Sequence, residues 1–445
     1  ALLTIFVVRL MGPVEYGKFS LILQLGVTSG LFLSWGGSGL LAKYIPEQMT
    51  AALKSRFASH AVEVSLLSCL ALMGLFLACA VLFPSIIPEE IRSVRYLFVL
   101  FVTLVALFNV LQGIFRGLGW FVKWSVLEGG NDFAARVTGL LALAYFGYRY
   151  DAVFVSFVAV LAVLVVYAWS QVKEYIRLTD LKAEPEVVRF ALLMLAAAVI
   201  FMVGTSADAV LLRGLLKEPR EVGFYFAGVR IPQIFQSLLL APLSIPFVYY
   251  FTHPDTSHTR EQVLKLGTKL MGVVCGVGAL ALLSLSRYII PILYGVSYER
   301  SIDVLRIYSL VIFLMGLQAL FSPFILAINK FHHQVLLGAV SVGLLLIMDL
   351  IFIPRWGAPG AAAANVAMLI IQTGFYLYLF WRNNVEIVKL CLVMMLAVGA
   401  GVVVDIFWIP LMAVPVFAGV VLALRLFSMS EISKMREVFF TRSAV

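Results

Sequence analysis

Charged residues are scarce in this chain of 445 residues: Asp, Glu, Lys and Arg make up 13% of it, whereas soluble domains average about 25%. Hydrophobic residues make up 62%. No polar stretch is long enough to bury a core of its own, so the composition excludes a soluble domain. It predicts a polytopic, all-helical integral membrane protein.

Cysteine is also sparse, and the few cysteines lie inside apolar runs without Cys-x-x-Cys spacing. They are Cys69, Cys79, Cys275 and Cys391. This pattern indicates small core residues and neither a disulfide framework nor a metal site. His253, Asp255 and His258 lie close together, but no third strong ligand completes a site of the usual geometry, so we interpret them as a solvated loop and expect no metal.

The chain lacks a glycine-rich phosphate loop, which excludes ATP as the direct energy source, and we expect no cofactor. The formal net charge of +9 comes from basic residues scattered through short loops. A nucleic-acid partner would need a basic patch, so we expect none. The larger share of Lys and Arg falls in alternate loops, which predicts that both termini lie on the cytoplasmic side.

Apolar runs long enough to cross about 30 Å of hydrocarbon predict about fourteen spans. The predicted spans are 1–11, 18–42, 61–83, 94–115, 121–145, 151–172, 187–212, 223–250, 265–294, 303–328, 334–353, 358–381, 387–406 and 408–427. The chain begins with alanine and its opening run is about half as long as a span needs, so we expect the first span to be incomplete. Thr50 to His60 and the tail Ser428 to Phe440 are interpreted as amphipathic helices on the cytoplasmic face or as solvated connectors.

A short motif occurs twice, separated by nearly half the length of the chain. Pro13 to Phe19 and Pro219 to Tyr225 share the pattern Pro-x-Glu-x-Gly-x-aromatic. The repeat indicates two related halves, a common construction of transporters, although coincidence also explains so short a match. The longest polar link, Lys173 to Glu186, marks the boundary, so we predict an N-terminal lobe over 1–180, a second lobe over 181–385 and an appendage over 386–445.

Several spans carry ionisable residues, each of which costs about 2.5 to 3.5 kcal/mol in hydrocarbon and therefore should face protein, water or cargo. Glu128, Asp132 and Arg136 are four residues apart and share one helical face. The structural alternative is that Asp132 and Arg136 pair within the helix. A second group lies in the middle of the chain, and two further arginines lie at span ends. The middle group consists of Asp208, Arg213 and Arg230, and the two arginines at span ends are Arg9 and Arg116.

Five stretches together resemble a known family. They are RLMGPVEYGKFSL, LQGIFRGLGWF, ADAVLLRGLLKEPREVGFYFAGVRI, YIIPILYGVSYERS and IPRWGAPGAAAANV. In this order and spacing they resemble the Wzx-like oligosaccharide flippases of the multidrug/oligosaccharidyl-lipid/polysaccharide exporter superfamily. The resemblance implies two pseudo-symmetric six-helix bundles around a central cavity, with two extra C-terminal spans.

The resemblance also implies the cargo, an oligosaccharide linked to a polyprenyl diphosphate that moves from the cytoplasmic to the outer leaflet of the cell membrane. Because a guanidinium fork matches phosphate oxygens, Arg136 and Arg230 are the first candidates to bind the diphosphate. Arg213, Arg9 and Arg116 are further candidates, with interfacial anchoring as the alternative. Glu128, Asp132 and Asp208 are candidates to line the cavity or to bind a coupling proton or sodium ion. We expect no catalytic residue.

Other functions stay open from the sequence. A multidrug exporter of the same superfamily is the nearest alternative. A membrane polymerase or ligase would need a sizeable outer loop with catalytic side chains, and the predicted outer loops are short and lack histidine. A scaffold without transport is the third. We expect a monomer that meets membrane lipid and works beside a polysaccharide polymerase or other assembly proteins.

Overall fold

The computed structural model describes most of the chain with gaps between its segments. The described residues are 2–34, 41, 45, 58–71, 74, 88–147, 149–176, 185–240, 251, 260–321, 324–325, 331–381, 385–407 and 412–423. The tail Ser428 to Phe440, most of Thr50 to His60, and the His253, Asp255 and His258 loop lie outside the described residues.

Every regular element in these described segments is a helix. The α-helices are α1 Leu2–Leu33, α2 Ala58–Ala71, α3 Glu89–Ser93, α4 Arg95–Gly117, α5 Phe121–Phe146, α6 Tyr150–Val172, α7 Pro185–Leu216, α8 Pro219–Phe235, α9 Arg260–Tyr294, α10 Ser301–Gln318, α11 Phe331–Trp356, α12 Ala358–Trp381, α13 Val385–Phe407 and α14 Ala413–Ala423. A π-helical turn, Gln236–Leu240, follows α8 directly. The all-helical prediction is confirmed.

Seven of the described helices are long and apolar enough to cross a membrane, namely α4, α6, α9, α10, α11, α12 and α13. The chain is therefore a multi-pass membrane protein. Helix α5 is not among the seven, and it carries four charged side chains, Lys123, Glu128, Asp132 and Arg136. The charges that single out α5 as a functional candidate also lower its hydropathy.

Helix α1 contains a break near its start. Gly12 has a φ of 71° and a ψ of 169°, and Pro13 follows it. A positive φ suits glycine because it has no Cβ, and proline suits the first turn of a helix because it lacks the N–H that would be unsatisfied there. The break separates two helical pieces and falls between the predicted intervals 1–11 and 18–42.

By its contacts the chain divides into two compact units, and unit 1 is Ala1–Gly223. In unit 1, α1 packs against α4 and α7, and α4 and α5 both pack against α6. Gly26 and Gly30 let α1 approach α4 closely, because a side chain at either position would overlap with Phe101 or Val105. Helix α7 thus belongs with α1 in unit 1, and the lobe boundary at residue 180 stays a prediction.

Unit 2 is Phe224–Val445. Its helices α9 and α10 pack against each other, as do α11 and α12, and α12 also packs against α10. Helices α13 and α14 pack on α9, where Gly272 leaves room for the Met394 side chain and Gly276 for the Phe417 ring. The predicted appendage is therefore seated on the core of this unit.

The cysteines that the structure describes are buried in these cores. Cys69 is 5% exposed, Cys275 1% and Cys391 0%, and all three are free thiols. Their interpretation as small core residues is confirmed, whereas Cys79 lies outside the described residues.

Candidate functional site

The predicted polar face of α5 carries two separate arrangements. Arg136 forms a short ion pair with Asp132 one turn earlier. The Arg136 side chain is 13% exposed and the Asp132 side chain 61%, so the carboxylate is open while the guanidinium is largely enclosed. The pairing within the helix that the spacing allowed is present, and its cation is partly shielded.

Glu128, one turn earlier on the same face, is bound to the neighbouring helix α4. The amide nitrogen Nε2 of Gln112 donates a hydrogen bond of 2.7 Å to Oε2 of Glu128. Gln112 is buried, and the two side chains join α4 to α5. One helical turn further along α4, the guanidinium of Arg116 lies 5.3 Å from the centroid of the Trp124 ring. The Nε atom of Arg116 is buried without a hydrogen-bond partner among the described residues.

Arg213 near the end of α7 forms an ion pair with a residue that the sequence did not single out. Its Nε and one terminal nitrogen both lie 2.9 Å from Oε1 of Glu90 on α3. Glu90 is 4% exposed, and its second oxygen, Oε2, is buried with no hydrogen-bond partner in the described part of the chain. The ion pair joins α7 to α3.

Polar contacts continue from this pair across the same end of unit 1. The Lys18 ammonium lies 2.8 Å from Oε1 of Glu15, and Oε2 of Glu15 accepts a 3.0 Å hydrogen bond from the backbone N–H of Tyr150. The Tyr150 hydroxyl lies 2.6 Å from the Ser93 hydroxyl. We call Glu15, Lys18, Glu90, Ser93, Tyr150 and Arg213 the polar cluster. Its members belong to α1, α3, α6 and α7, at segments that the predicted topology places on the outer side.

The repeated motif makes a reciprocal backbone contact in unit 1. A Cβ atom on Gly17 would overlap with the carbonyl oxygen of Pro219 and lie 2.8 Å from the nitrogen of Gly223. A Cβ atom on Gly223 would overlap with the carbonyl oxygen of Pro13 and lie 3.1 Å from the nitrogen of Gly17. Each motif therefore presents its glycine to the proline of the other, and both positions require glycine.

Two further predicted site residues of unit 1 lie apart from these groups. Asp208 is 5% exposed on α7. It comes shortly after two residues of α7 that form hydrogen bonds with α1. The Ser206 hydroxyl donates to the Thr28 hydroxyl at 2.9 Å, and the Thr205 carbonyl accepts from the Gln24 amide at 3.0 Å. Arg9 is exposed on the first piece of α1.

In unit 2, Arg230 lies on α8 and is partly buried. Its Nε atom is buried and has no hydrogen-bond partner among the described residues. The sequence missed a second ionic group in this unit. Asp405 on α13 accepts hydrogen bonds from the Ser284 hydroxyl at 2.5 Å and from Arg306 at 3.1 Å, and it is 5% exposed.

The described residues contain no group of three or more His, Cys, Asp or Glu side chains that could hold a metal ion. The chemistry that the described side chains offer is ionic and reversible. Guanidinium groups can bind phosphate oxygens, and carboxylates can bind a proton or a sodium ion.

Solved structures share this fold. The lipid II flippase MurJ in its inward closed conformation aligns with a TM-score of 0.76 at 15% identity, over 98% of this chain and 96% of that chain. An inward-facing multidrug resistance transporter of the MATE family aligns with a TM-score of 0.65 at 16% identity, over 84% of this chain and 92% of that one. A MOP superfamily transporter from Pyrococcus furiosus aligns with a TM-score of 0.57 at 16% identity, over 82% and 88% of the two chains. The chain shares its fold with these membrane transporters.

The family to which the chain belongs is shown by its sequence. The family model described as polysaccharide biosynthesis protein matches residues 1–248, which is more than half of the chain. The chain belongs to this polysaccharide biosynthesis family. No curated protein sequence matches it.

Proposed function

We propose that the chain is a flippase that moves oligosaccharide linked to a polyprenyl diphosphate from the cytoplasmic to the outer leaflet of the inner membrane, for assembly of a surface polysaccharide. Membership of the polysaccharide biosynthesis family and a fold shared with a flippase whose cargo is named as lipid II support this function. The fourteen-span arrangement, with two six-span halves around a central cavity and two further spans, is part of the proposal.

The observation that carries the proposal is the enclosed guanidinium of Arg136 on the charged face of α5. A cation on a predicted span is unfavourable unless it faces protein, water or cargo, and the Asp132 carboxylate that pairs with Arg136 is itself exposed. A diphosphate supplies more negative charge than one carboxylate and matches the guanidinium donors bidentately. Arg136 would bind the diphosphate while Asp132 holds the side chain in place between cargo molecules.

Arg230 supplies the second cation in this proposal, since its Nε has no hydrogen-bond partner among the described residues and would have to become accessible to bind the diphosphate. Arg213 has a different role, because its ion pair with Glu90 occupies the guanidinium. Arg116 and Arg9 would contact cargo at the margins of the path. Glu128, Asp132 and Asp208 are the proposed sites for a coupling proton or sodium ion, and binding at any of them would have to differ between two conformations to drive transport.

The contact between Gly17 and Gly223 supports alternating access, because two backbone surfaces that fit this closely can come together and separate as rigid surfaces. We propose that this contact closes one side of the path and opens when cargo is released there. A monomer suffices for this mechanism. A polysaccharide polymerase or another assembly protein would receive the cargo.

A multidrug exporter is the second candidate, and the shared fold with a MATE family multidrug transporter favours it. The two functions differ in the charge of the cargo. Purified protein in liposomes should translocate a defined fluorescent prenyl-diphosphate glycan and leave a cationic dye on its original side. Movement of the dye without movement of the glycan would replace the flippase with the exporter.

A further inference from the structure

An open groove of about 310 Å³ runs between α2 and α4 in unit 1. The side chains that line it include Leu66, Cys69, Leu70, Tyr96, Val99 and Thr103. Among these, the Thr103 hydroxyl donates to the backbone carbonyl of Val99 at 3.0 Å, which satisfies its donor. The walls are therefore suited to hydrocarbon and offer little to a polar ligand.

The rims of the groove are exposed, and one of its two walls is a helix long and apolar enough to cross the membrane. Tyr96 is 68% exposed, Leu70 58% and Leu100 48%, and α4 is one of the seven candidate spans. An apolar surface exposed on a spanning helix contacts acyl chains. The occupant of the groove therefore comes from the bilayer itself.

A cation marks one end of the groove. The Arg95 guanidinium stacks over the Tyr96 ring at 4.8 Å from its centroid, and among the described residues no carboxylate pairs with Arg95. Tyrosine at the start of a spanning helix lies at headgroup depth, so Arg95 is held where lipid phosphates lie. Charge complementarity selects an anionic headgroup.

The length of the groove indicates which kind of lipid chain can occupy it. Tyr96 and Thr103 are separated by about 10 Å along the helix axis at 1.5 Å per residue, within the roughly 15 Å of hydrocarbon in one leaflet. One acyl chain fits this depth, whereas a polyprenyl chain is longer than a leaflet is deep. We propose that this groove binds one acyl chain of an anionic glycerophospholipid whose phosphate is bound by Arg95. This inference is independent of the proposed function.

The test is lipid retention measured by native mass spectrometry. The full chain is reconstituted in nanodiscs of equimolar phosphatidylglycerol and phosphatidylcholine and then transferred to mild detergent. The wild type should retain phosphatidylglycerol over phosphatidylcholine by about fivefold, the effect of one basic residue near an anionic surface. Arg95→Gln should abolish the preference. Arg149→Gln should preserve it, because Arg149 is exposed but already paired with Asp151.

Filling the groove should remove the lipid altogether. Thr103→Trp and Leu70→Trp, on opposite walls, should each lose one retained lipid of either headgroup, whereas Val163→Trp on the exposed face of α6 should lose none. Two separate variants keep the test decisive if one fails to fold, as judged by size-exclusion chromatography. Equal retention of both lipids by the wild type, an unchanged preference in Arg95→Gln, full retention in both groove variants, or stronger retention of an added prenyl diphosphate would each overturn the proposal.

Discussion

The backbones of Gly17 and Gly223 are in close contact. A side chain on either glycine would overlap with the backbone of the other motif. Each glycine faces the carbonyl of the proline that lies four residues before the other. The two copies of the motif thus form one structural contact, whereas the two related halves that the repeat indicates stay a prediction.

Alanine at Gly17 or Gly223 should destabilise the protein by about 1 to 3 kcal/mol, because the added methyl group meets rigid backbone rather than a flexible side chain. Each variant should also reduce translocation of the prenyl-diphosphate glycan, since the two motifs can no longer close on each other. The free energy of unfolding in a denaturing detergent titration and transport in liposomes check the two effects.

Gly130→Ala on α5 is the control, because no atom lies within 4 Å of the added methyl group. It should be neutral or stabilise the helix by up to about 1 kcal/mol. Unchanged stability in both Gly17→Ala and Gly223→Ala would contradict the contact.

The ion pair between Arg213 and Glu90 should be important for stability. Arg213→Met leaves the buried Glu90 carboxylate uncompensated and should destabilise the protein by about 3 kcal/mol. The double variant Arg213→Met/Glu90→Leu should lose less than the sum of the two single variants. Unfolding titrations of the four proteins measure the coupling.

The exposed pair of Arg149 and Asp151 provides the comparison for that measurement. Breaking it with Arg149→Met should change stability by about 0 to 1 kcal/mol. The coupling energy between Arg213 and Glu90 should exceed that of the exposed pair. An equal or smaller value would contradict the predicted contribution of the polar cluster to stability.

Most of the helical content could be predicted because the apolar runs end at glycine, proline or charge. The interval 358–381 coincides with α12, and 121–145 lies within one residue of α5. The turn before the second span was also predictable, since Gly12 and Pro13 punctuate the run. The placement of α7 beside α1 was not, because no local pattern records which helix a spanning helix packs against.

The candidate site was predictable only where its partners are close in sequence. Asp132 and Arg136 are one turn apart, so their pairing was an open alternative from the spacing alone. Glu90 lies far along the chain from Arg213, so their ion pair is visible only in the fold. The sequence offered one signal of the polar cluster. Glu15 and its counterpart Glu221 are the charged position that the two copies of the motif share.

Asp405 should fasten α13 to the core of unit 2. Asp405→Leu removes the acceptor of both Ser284 and Arg306 and should destabilise the protein by about 3 kcal/mol, because Arg306 is left without its carboxylate. The unfolding titration measures the loss. Glu386→Gln, which removes the exposed partner of Lys265 at the other end of the α9 and α13 contact, should have a much smaller effect, because exposed ion pairs contribute little. Equal effects of the two changes would argue against the role of Asp405.

Exchanging the charges on α5 separates the ion pair from cargo binding. The double variant Asp132→Arg/Arg136→Asp keeps an ion pair one turn apart but moves the cation by about 6 Å along the helix axis. The protein should fold with unchanged stability and lose translocation of the prenyl-diphosphate glycan. Normal transport by this variant would mean that the position of the cation is immaterial.

The most direct measurement of the central claim is translocation of a defined prenyl-diphosphate glycan in liposomes by the wild type, Arg136→Ala and Arg230→Ala. Arg149→Ala, which removes an exposed cation, is the matched control. The account predicts that the wild type and Arg149→Ala transport equally and that Arg136→Ala and Arg230→Ala transport far less while remaining folded. Equal transport by all four proteins would contradict it.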